Sequence, residues 1–354
     1  MSRVPPVTAA TFPLAEQRAL PLISLVMPTM NSEKFIERSL DSIFQQQYSR
    51  LEVIIIDGGS SDGTLGIVEK YRDRITQVIS EADDGQANAI NKGFELARGE
   101  VFCWLNADDL LAAGALLKVG AFFAENRHAE FMFGDAIGID ESGRSFGRRM
   151  NVHDGGLWEL VNESDFVVQP ASFWRSDLWN ETGGLREELH FTLDYEFYMR
   201  VAATTDLHYV PSVLALERHH RAAKTSNGGL ARAEELLQVA RLHGATQIAR
   251  TFQPEASAVF ASEAIRALRR HDLPAAQNLF RRSASVFRSP ALFSAHLVVL
   301  LGRPGGLAKA RLWSNRLRWV RSRSVGRPPK PLSNRYQRPK SSRTSHTEID
   351  AEIV

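Results

Sequence analysis

The sequence holds one cysteine, Cys103, so no internal disulfide can form. A disulfide-stapled scaffold is excluded, and a reducing compartment is the expected setting. No apolar run reaches the roughly 18 residues that a membrane span needs. The nearest, Ala291 to Leu301, is shorter and contains His296. Met1 to Ala19 lacks an apolar core and carries Pro5, Pro6 and Pro13, so it does not read as a secretory signal. There is no Gly-x-x-x-x-Gly-Lys-Ser/Thr, and no Gly-x-Gly-x-x-Gly follows the first apolar run. These absences remove P-loop and classical dinucleotide folds. No internal repeat is found in the first 230 residues, which removes a solenoid. The expected location is the cytoplasm, with any membrane contact confined to a surface.

What is present is ordinary for a globular chain: 354 residues, 44 % hydrophobic and 24 % charged. The net charge of +2 hides an asymmetry. Residues 303–343 carry 13 Lys/Arg and no acid, whereas residues 1–302 hold 30 bases and 38 acids. A mildly acidic body thus bears a basic tail. Within that tail, Leu307 to Arg323 interleaves Leu312, Trp313, Leu317, Trp319 and Val320 with five arginines and Lys309. A basic amphipathic stretch with Trp suits the surface of an anionic membrane. Nucleic acid is not expected as a partner, because no reading motif accompanies the charge. Beyond about residue 322 the Arg-, Pro- and Ser-rich composition predicts disorder.

Strand and helix patterns alternate through the first half. Leu22 to Met27 is an apolar, β-prone run that Pro28 should stop, and Leu51 to Ile56 is a second. Helical periodicity follows each, with Phe35, Ile36, Leu40, Ile43 and Phe44 on one face and then Thr64 to Tyr71. Thr76 to Ser80 and Val101 to Leu105 read as strands, with a helix over Gln86 to Ala97 between them. This rhythm predicts an α/β fold with a parallel sheet and right-handed crossovers. Farther on, the pattern predicts a helix over Leu110 to Asn126 and short strands over Phe131 to Phe133 and Ala136 to Ile139. Val167 to Trp174 should be β-like, Asp194 to Ala203 a helix, and Leu207 to Val210 the last strand. Helices over Leu230 to Leu242, Ala256 to Arg270 and Pro274 to Phe287 complete the pattern. The expected organisation is a flexible lead-in (1–20), an α/β domain (21–228), a helical extension (229–302), and a basic amphipathic segment with a disordered tail (303–354).

Ligands of parallel α/β sheets bind beyond the carboxyl ends of the strands. Four such ends read Pro28-Thr29-Met30-Asn31, Asp57-Gly58-Gly59-Ser60-Ser61-Asp62-Gly63-Thr64, Glu81-Ala82-Asp83-Asp84-Gly85-Gln86 and Asn106-Ala107-Asp108-Asp109. Each alone is an ordinary turn or helix cap. Together they predict a pocket for a ligand rich in hydroxyls and amides, and for a divalent cation held by Asp oxygens, which would neutralise a diphosphate.

Those segments carry a resemblance that extends from about Leu22 to Thr225. It includes Asp84-Gly85-Gln86-Ala87-Asn88-Ala89-Ile90-Asn91-Lys92-Gly93-Phe94, Trp104-Leu105-Asn106-Ala107-Asp108-Asp109, Gln169-Pro170-Ala171-Ser172-Phe173-Trp174-Arg175, Gly183-Gly184-Leu185 and Asp194-Tyr195-Glu196-Phe197-Tyr198-Met199-Arg200. In order and spacing the chain resembles the family 2 glycosyltransferases, inverting enzymes with the GT-A fold, a Rossmann-like, mostly parallel sheet flanked by helices. The resemblance implies that Asp57 bonds the donor base and that Pro28, Thr29 and Asn31 pack around the nucleotide. It implies a donor pocket completed by Gly85, Gln86, Asn91, Lys92, Asn106, Ala107 and Asp108. Asn106-Ala107-Asp108 stands where the family has Asp-x-Asp, so Asp108 would ligate the metal, Mn²⁺ or Mg²⁺, and Asn106 would offer an amide to a hydroxyl. His220, which precedes Lys224-Thr225, would complete the metal site, with His219 the alternative one position away. Asp194 matches the catalytic base. Gly58 stands where a second Asp is common.

Each residue also has a plainer role. Asp194 is a favoured helix cap, and Lys92 fits a solvated helix face. Trp158, Trp174 and Trp179 are candidates for stacking on an acceptor sugar or for the core, and Cys103 fits a buried apolar strand. The function implied is metal-dependent transfer of a sugar from a nucleotide-diphosphate donor, of the UDP-sugar type, to a hydroxyl of a glycan or lipid-linked acceptor in cell-surface polysaccharide synthesis. Rival readings are a nucleotidyltransferase, which would need a Gly-rich phosphate loop after the first strand, and an idle nucleotide-sugar-binding scaffold.

Overall fold

The computed structural model of the chain describes residues 19–148 and 152–287. Nearly all of the lead-in, the Ala291 to Leu301 run and the basic 303–354 segment lie outside the described residues. Residues up to Gln253 form one compact unit, and residues from Pro254 form a second.

The first unit begins with β1 (Ile23–Thr29), α1 (Ile36–Phe44), β2 (Leu51–Asp57), α2 (Thr64–Glu69), β3 (Gln77–Ser80), α3 (Gln86–Leu96) and β4 (Val101–Trp104). It continues with β5 (Leu110–Leu111), α4 (Ala115–Glu125), β6 (Phe131–Ile139), β7 (Ser145–Arg148), α5 (Leu157–Asn162), β8 (Ser172–Arg175) and α6 (Ser176–Thr182). Then come α7 (Leu193–Ala202), β9 (Leu207–Arg218), α8 (Lys224–Asn227) and α9 (Gly229–Leu242). In the second unit, α10 (Gln253–Arg269) and α11 (Leu273–Val286) pack through Ala261, Ala264, Leu268, Ala276 and Phe280. The Ser257 and Ser283 hydroxyls meet there at 2.9 Å.

The strands form one nine-stranded sheet in the order β3-β2-β1-β4-β8-β6-β9-β5, with β7 on β6. The first four are mutually parallel. The antiparallel β8 then joins β4 to β6, and β6 runs parallel to β9. The chain leaves β1 toward β2 and β3, then returns to β4 on the other side of β1. Strand order therefore switches between β1 and β4, and the crevice at their carboxyl ends is where such sheets bind ligands. Both faces are covered. Leu25, Val53, Ile55 and Cys103 meet Leu40, Ile43, Leu116, Val119 and Phe122 on one side. On the other, Phe94, Phe102, Trp104, Trp174, Trp179 and Phe197 form an aromatic cluster with ring centroids 4.4–6.4 Å apart. Trp174 and Trp179 are thus core residues and present no face to an acceptor; Trp158 is 59 % exposed.

Several elements differ from the sequence expectation. β1 continues through Pro28 to Thr29. The Val26 carbonyl accepts from Leu105 N, so Val26 and Pro28 share the edge toward β4. β4 ends opposite Val26, and the N–H that Pro28 lacks would face no strand. The helix expected over Leu110 to Asn126 starts only at Ala115, because Leu110 and Leu111 pair with Leu216 and Ala215 of β9 and Gly114 takes a left-handed φ of 69°. The two strands expected over 131–139 are one, with register shifts around Asp135. On β9 the same shift leaves Pro211 and Ser212 out of register, so the strand passes its proline as a bulge and runs to Arg218. Gln169–Ala171 is a 3₁₀ turn, and only Ser172–Arg175 is strand. No helix among the described residues is long and apolar enough to cross a membrane.

Candidate active site

On the β1–β2 side the loops are stitched to each other. Asn31 sits in the left-handed region with φ 49°. Its N–H donates to Ser60 Oγ at 2.7 Å, and its Oδ1 accepts from Ser61 N at 2.9 Å. Ser32 N donates to Thr64 Oγ1 at 2.7 Å, and Gly63 N to Glu33 Oε2 at 2.9 Å. Asp57 is fully buried, and its Oδ2 accepts from Gly59 N, Ser60 N and Ser80 Oγ at 3.2, 3.0 and 2.7 Å. Pro28 and Thr29 are buried beside it, and the Thr29 hydroxyl has no partner among the described residues. Gly58 leaves room for another acid. A Cβ there would lie 2.7 Å from Asp83 Oδ2, so the carboxylate absent at position 58 is replaced in space by Asp83 from the loop after β3.

The β4–β9 side is held by side chains from distant segments. Asp108 Oδ2 lies 2.9 Å from His220 Nε2, and the His220 ring packs 4.8 Å from Phe35. His219 instead pairs with Glu217 at 3.1 Å. Arg218, adjacent in the chain and buried, donates through Nε to the Asp108 carbonyl and through N to Asp109 Oδ1, both at 2.8 Å. Burial raises the Asp109 carboxyl well above the ordinary carboxylate range, reinforced by Asp108 and Glu217. Asn106 Nδ2 donates to Gln169 Oε1 at 3.0 Å, and Gln86 Nε2 donates to Asn106 Oδ1 at 2.8 Å. Ala107 is packed into the core. Gln86 opens α3, whose N-cap Gly85 has φ 114°. A Cβ on Gly85 would sit 3.9 Å from the His190 ring.

The third wall is the mouth of α7. Asp194 is half-buried in its first turn, and its Oδ1 accepts from Tyr195 N at 2.8 Å. Glu235 of α9 clamps the approach to that turn, accepting from His190 N at 2.9 Å, Phe191 N at 2.7 Å and Thr192 Oγ1 at 3.2 Å. Lys224 Nζ donates to Gln86 Oε1 at 3.2 Å. Desolvation of that ammonium lowers its pKa, against the opposing pull of Glu235 and Asp194. Two residues along α7 from Asp194, Glu196 is fully buried among Arg186, Arg200 and His243. Burial pushes its carboxyl up, but those partners outweigh it and hold the pKa below the usual value.

Two expected donor-site residues are engaged elsewhere. Lys92 pairs with Glu81 at 2.9 Å. Asn91 bridges α3 to Leu185 O at 3.0 Å and Glu187 at 2.9 Å. Residues that sequence reasoning left out of the site are Arg218, Gln169, Glu235 and Lys224. Gln169 and Lys224 lie within the motifs of the resemblance, but nothing in the sequence shows what they touch.

Residues 24–185 match the model described as glycosyl transferase family 2. The chain carries a family 2 glycosyltransferase domain. Its relatives include the PGL/p-HBAD biosynthesis glycosyltransferase of Mycobacterium tuberculosis, 29 % identical over 188 residues that cover 51 % of this chain and 70 % of that one. Among solved structures, S. aureus TarS 1–349 in complex with UDP-GlcNAc superposes with a TM-score of 0.54 at 18 % identity, over 83 % of this chain and 91 % of that one. Against a longer TarS chain the match spans about half of its length, 49 %. The mannosyltransferase PcManGT from Pyrobaculum calidifontis, in complex with GDP-Man and Mn²⁺, superposes with a TM-score of 0.50 at 18 % identity, over 86 % of each chain. These likenesses establish the fold, which is GT-A.

Proposed function

We propose that the protein is a metal-dependent, inverting glycosyltransferase that moves a sugar from a nucleoside-diphosphate donor, a UDP-sugar, to a hydroxyl of a glycan or lipid-linked acceptor in cell-surface polysaccharide synthesis. What supports this reading is that Asp57 and Thr29 end β2 and β1, and Asp108, paired with His220, follows β4, all at the carboxyl ends where the strand order switches, while Gln86 ties Asn106 to Lys224. Support for the donor class comes from TarS, solved with UDP-GlcNAc, and PcManGT, solved with GDP-Man. The acceptor class rests on the family resemblance, beside relatives named for PGL/p-HBAD biosynthesis, rather than on any group of this chain.

In this reading the buried Asp57 and Thr29 meet the nucleoside, and Asp83 supplies the second carboxylate of that wall. Asp108 and His220 fit a divalent cation. They would offer one oxygen and one nitrogen, which now meet in a hydrogen bond at 2.9 Å and would turn to the ion when it binds. No group of three or more such ligands occurs among the described residues, so diphosphate oxygens and water would fill the remaining positions. Such an ion supplies Lewis-acid stabilisation to the departing diphosphate. Asp194 receives the proton of the attacking acceptor hydroxyl, whose own pKa is too high to lose it unaided. Single displacement at the anomeric carbon requires acceptor and leaving group on opposite faces of that carbon. The basic segment 303–323 would hold the protein at the inner face of a membrane, where a lipid-linked acceptor is found.

Calorimetric titration with UDP, GDP, ADP and CDP, in Mn²⁺ and in EDTA, tests the reading. UDP should bind tightest, more tightly with Mn²⁺, and Asp108→Ala should remove the Mn²⁺ enhancement. Failure of every nucleotide to bind would overturn it.

A further inference from the structure

The hydrogen bonds that link Trp104, Gln169, Asn106, Gln86 and Lys224 can run in only one direction. A backbone carbonyl accepts and never donates, so Gln169 presents Nε2 to Trp104 O, at 2.8 Å, and turns Oε1 away from it. That oxygen takes Asn106 Nδ2 at 3.0 Å, which leaves Asn106 Oδ1 to accept Gln86 Nε2 at 2.8 Å. Gln86 Oε1 then accepts Lys224 Nζ at 3.2 Å, and an ammonium can only donate. With an acceptor-only group at the sheet and a donor-only group on α8, the two ends fix all three amides. Their orientation does not depend on a local choice between O and N.

A carboxylate at position 106 would break this chain in its middle. It has no donor for Gln169 Oε1. It would also take away the Nδ2 that lies 3.3 Å from Oδ2 of the buried Asp109, whose other oxygen already accepts from Arg218 N. An amide is the group that satisfies acceptors on one side and a donor on the other.

We propose that Asn106 is a positioning residue, the amide link that holds Lys224, through Gln86, to meet the negative charge that the leaving diphosphate gathers. The identity of that anion rests on the proposed function; the chain itself does not. Substitution of Asn106 by Asp restores the acid that the resemblance puts at this position. If Asn106 were a degraded metal ligand, Asn106→Asp would improve binding; as an amide link, it fails.

The test is UDP affinity in EDTA, where no metal contributes, for wild type, Asn106→Asp, Lys224→Met and the double variant. Each single variant should lose roughly tenfold, the scale of one well-placed charge-assisted contact. The double variant should lose no more than either single one, because groups acting through one another are not additive. Gln86→Met, which cuts the chain without placing a charge near Asp109, should lose as much and covers the case in which Asn106→Asp does not fold. Wild-type affinity in Asn106→Asp or Gln86→Met, or losses that multiply in the double variant, would overturn the proposal. Absence of nucleotide binding by the wild type would instead overturn the proposed function, so the two failures are distinguishable.

Discussion

The two sides of the crevice satisfy their polar groups in opposite ways. On the β1–β2 side the acceptors are served largely by backbone N–H groups of the adjoining loop: Asp57 by Gly59 and Ser60, Asn31 by Ser61, Glu33 by Gly63. On the β4–β9 side, side chains serve side chains across the fold: Asn106 to Gln169, Gln86 to Asn106, His220 to Asp108. Main-chain donors are placed by the fold and survive most substitutions. A chain of side chains is only as good as each member. The first side is therefore a preformed cradle. The second is adjustable, and single substitutions there should change chemistry while leaving the fold intact.

The sharpest way to separate chemistry from donor binding is Asp194→Ala. Transfer should slow by about 10²–10⁴-fold, the usual worth of a general base. Nucleotide affinity measured by calorimetry should stay within about twofold, since an interaction made only in the transition state leaves ground-state binding alone. On the adjustable side, Asp108→Ala should cost about 10²–10³-fold in donor turnover, the scale of a several-kcal/mol Lewis-acid contribution. Chelation of wild type with EDTA should bring the rate to the same level, and a rate assay with added Mn²⁺ checks that only the wild type recovers.

A stability prediction concerns the carboxylate two residues along α7. Glu196→Gln leaves Arg186, Arg200 and His243 without their shared anion and should cost about 2–4 kcal/mol in urea unfolding. Because the folded pKa of Glu196 lies below its unfolded value of about 4.3, its contribution is present above that pH and is lost as pH falls through the folded pKa. The acid limb of the stability curve should therefore be flatter in Glu196→Gln than in wild type. The smallest effect belongs to the cradle. Asn31→Ala removes an acceptor for Ser61 N and puts a β-carbon without a compensating side chain at φ 49°, for a cost of about 1–2 kcal/mol. Asn31→Gly, which relieves the backbone strain, should lose less, and urea midpoints of the two variants check the order.

The same division explains what the sequence makes legible. β1, β2, α3 and α7 are readable to within a residue or two because each is set by its own apolar pattern. The pair Leu110–Leu111 is not, since it is strand only through Leu216 and Ala215, far along the chain. The strand-end rule and the resemblance point to Asp57, Asn106, Asp108 and Asp194, all beside local motifs. They give no sign that Asp83 fills the space at Gly58, that Glu235 clamps the loop before Asp194, or that Arg218 ties Asp108 and Asp109 to the end of β9. Those roles exist only after distant segments meet. His220 is chosen over His219 by alternation on the chain after β9, which turns one ring to Asp108 and the other to Glu217.

Release of nucleoside diphosphate from a panel of nucleotide sugars is the most direct measurement, in Mn²⁺, Mg²⁺ or EDTA, on wild type and Asp108→Ala. Wild type should show metal-dependent turnover of one UDP-sugar, lowered about 10²–10³-fold by EDTA and by the substitution. Turnover that is indifferent to both, or binding of a nucleotide sugar that no acceptor hydroxyl ever discharges, would contradict it; the second result would mark the crevice as a binding site without chemistry.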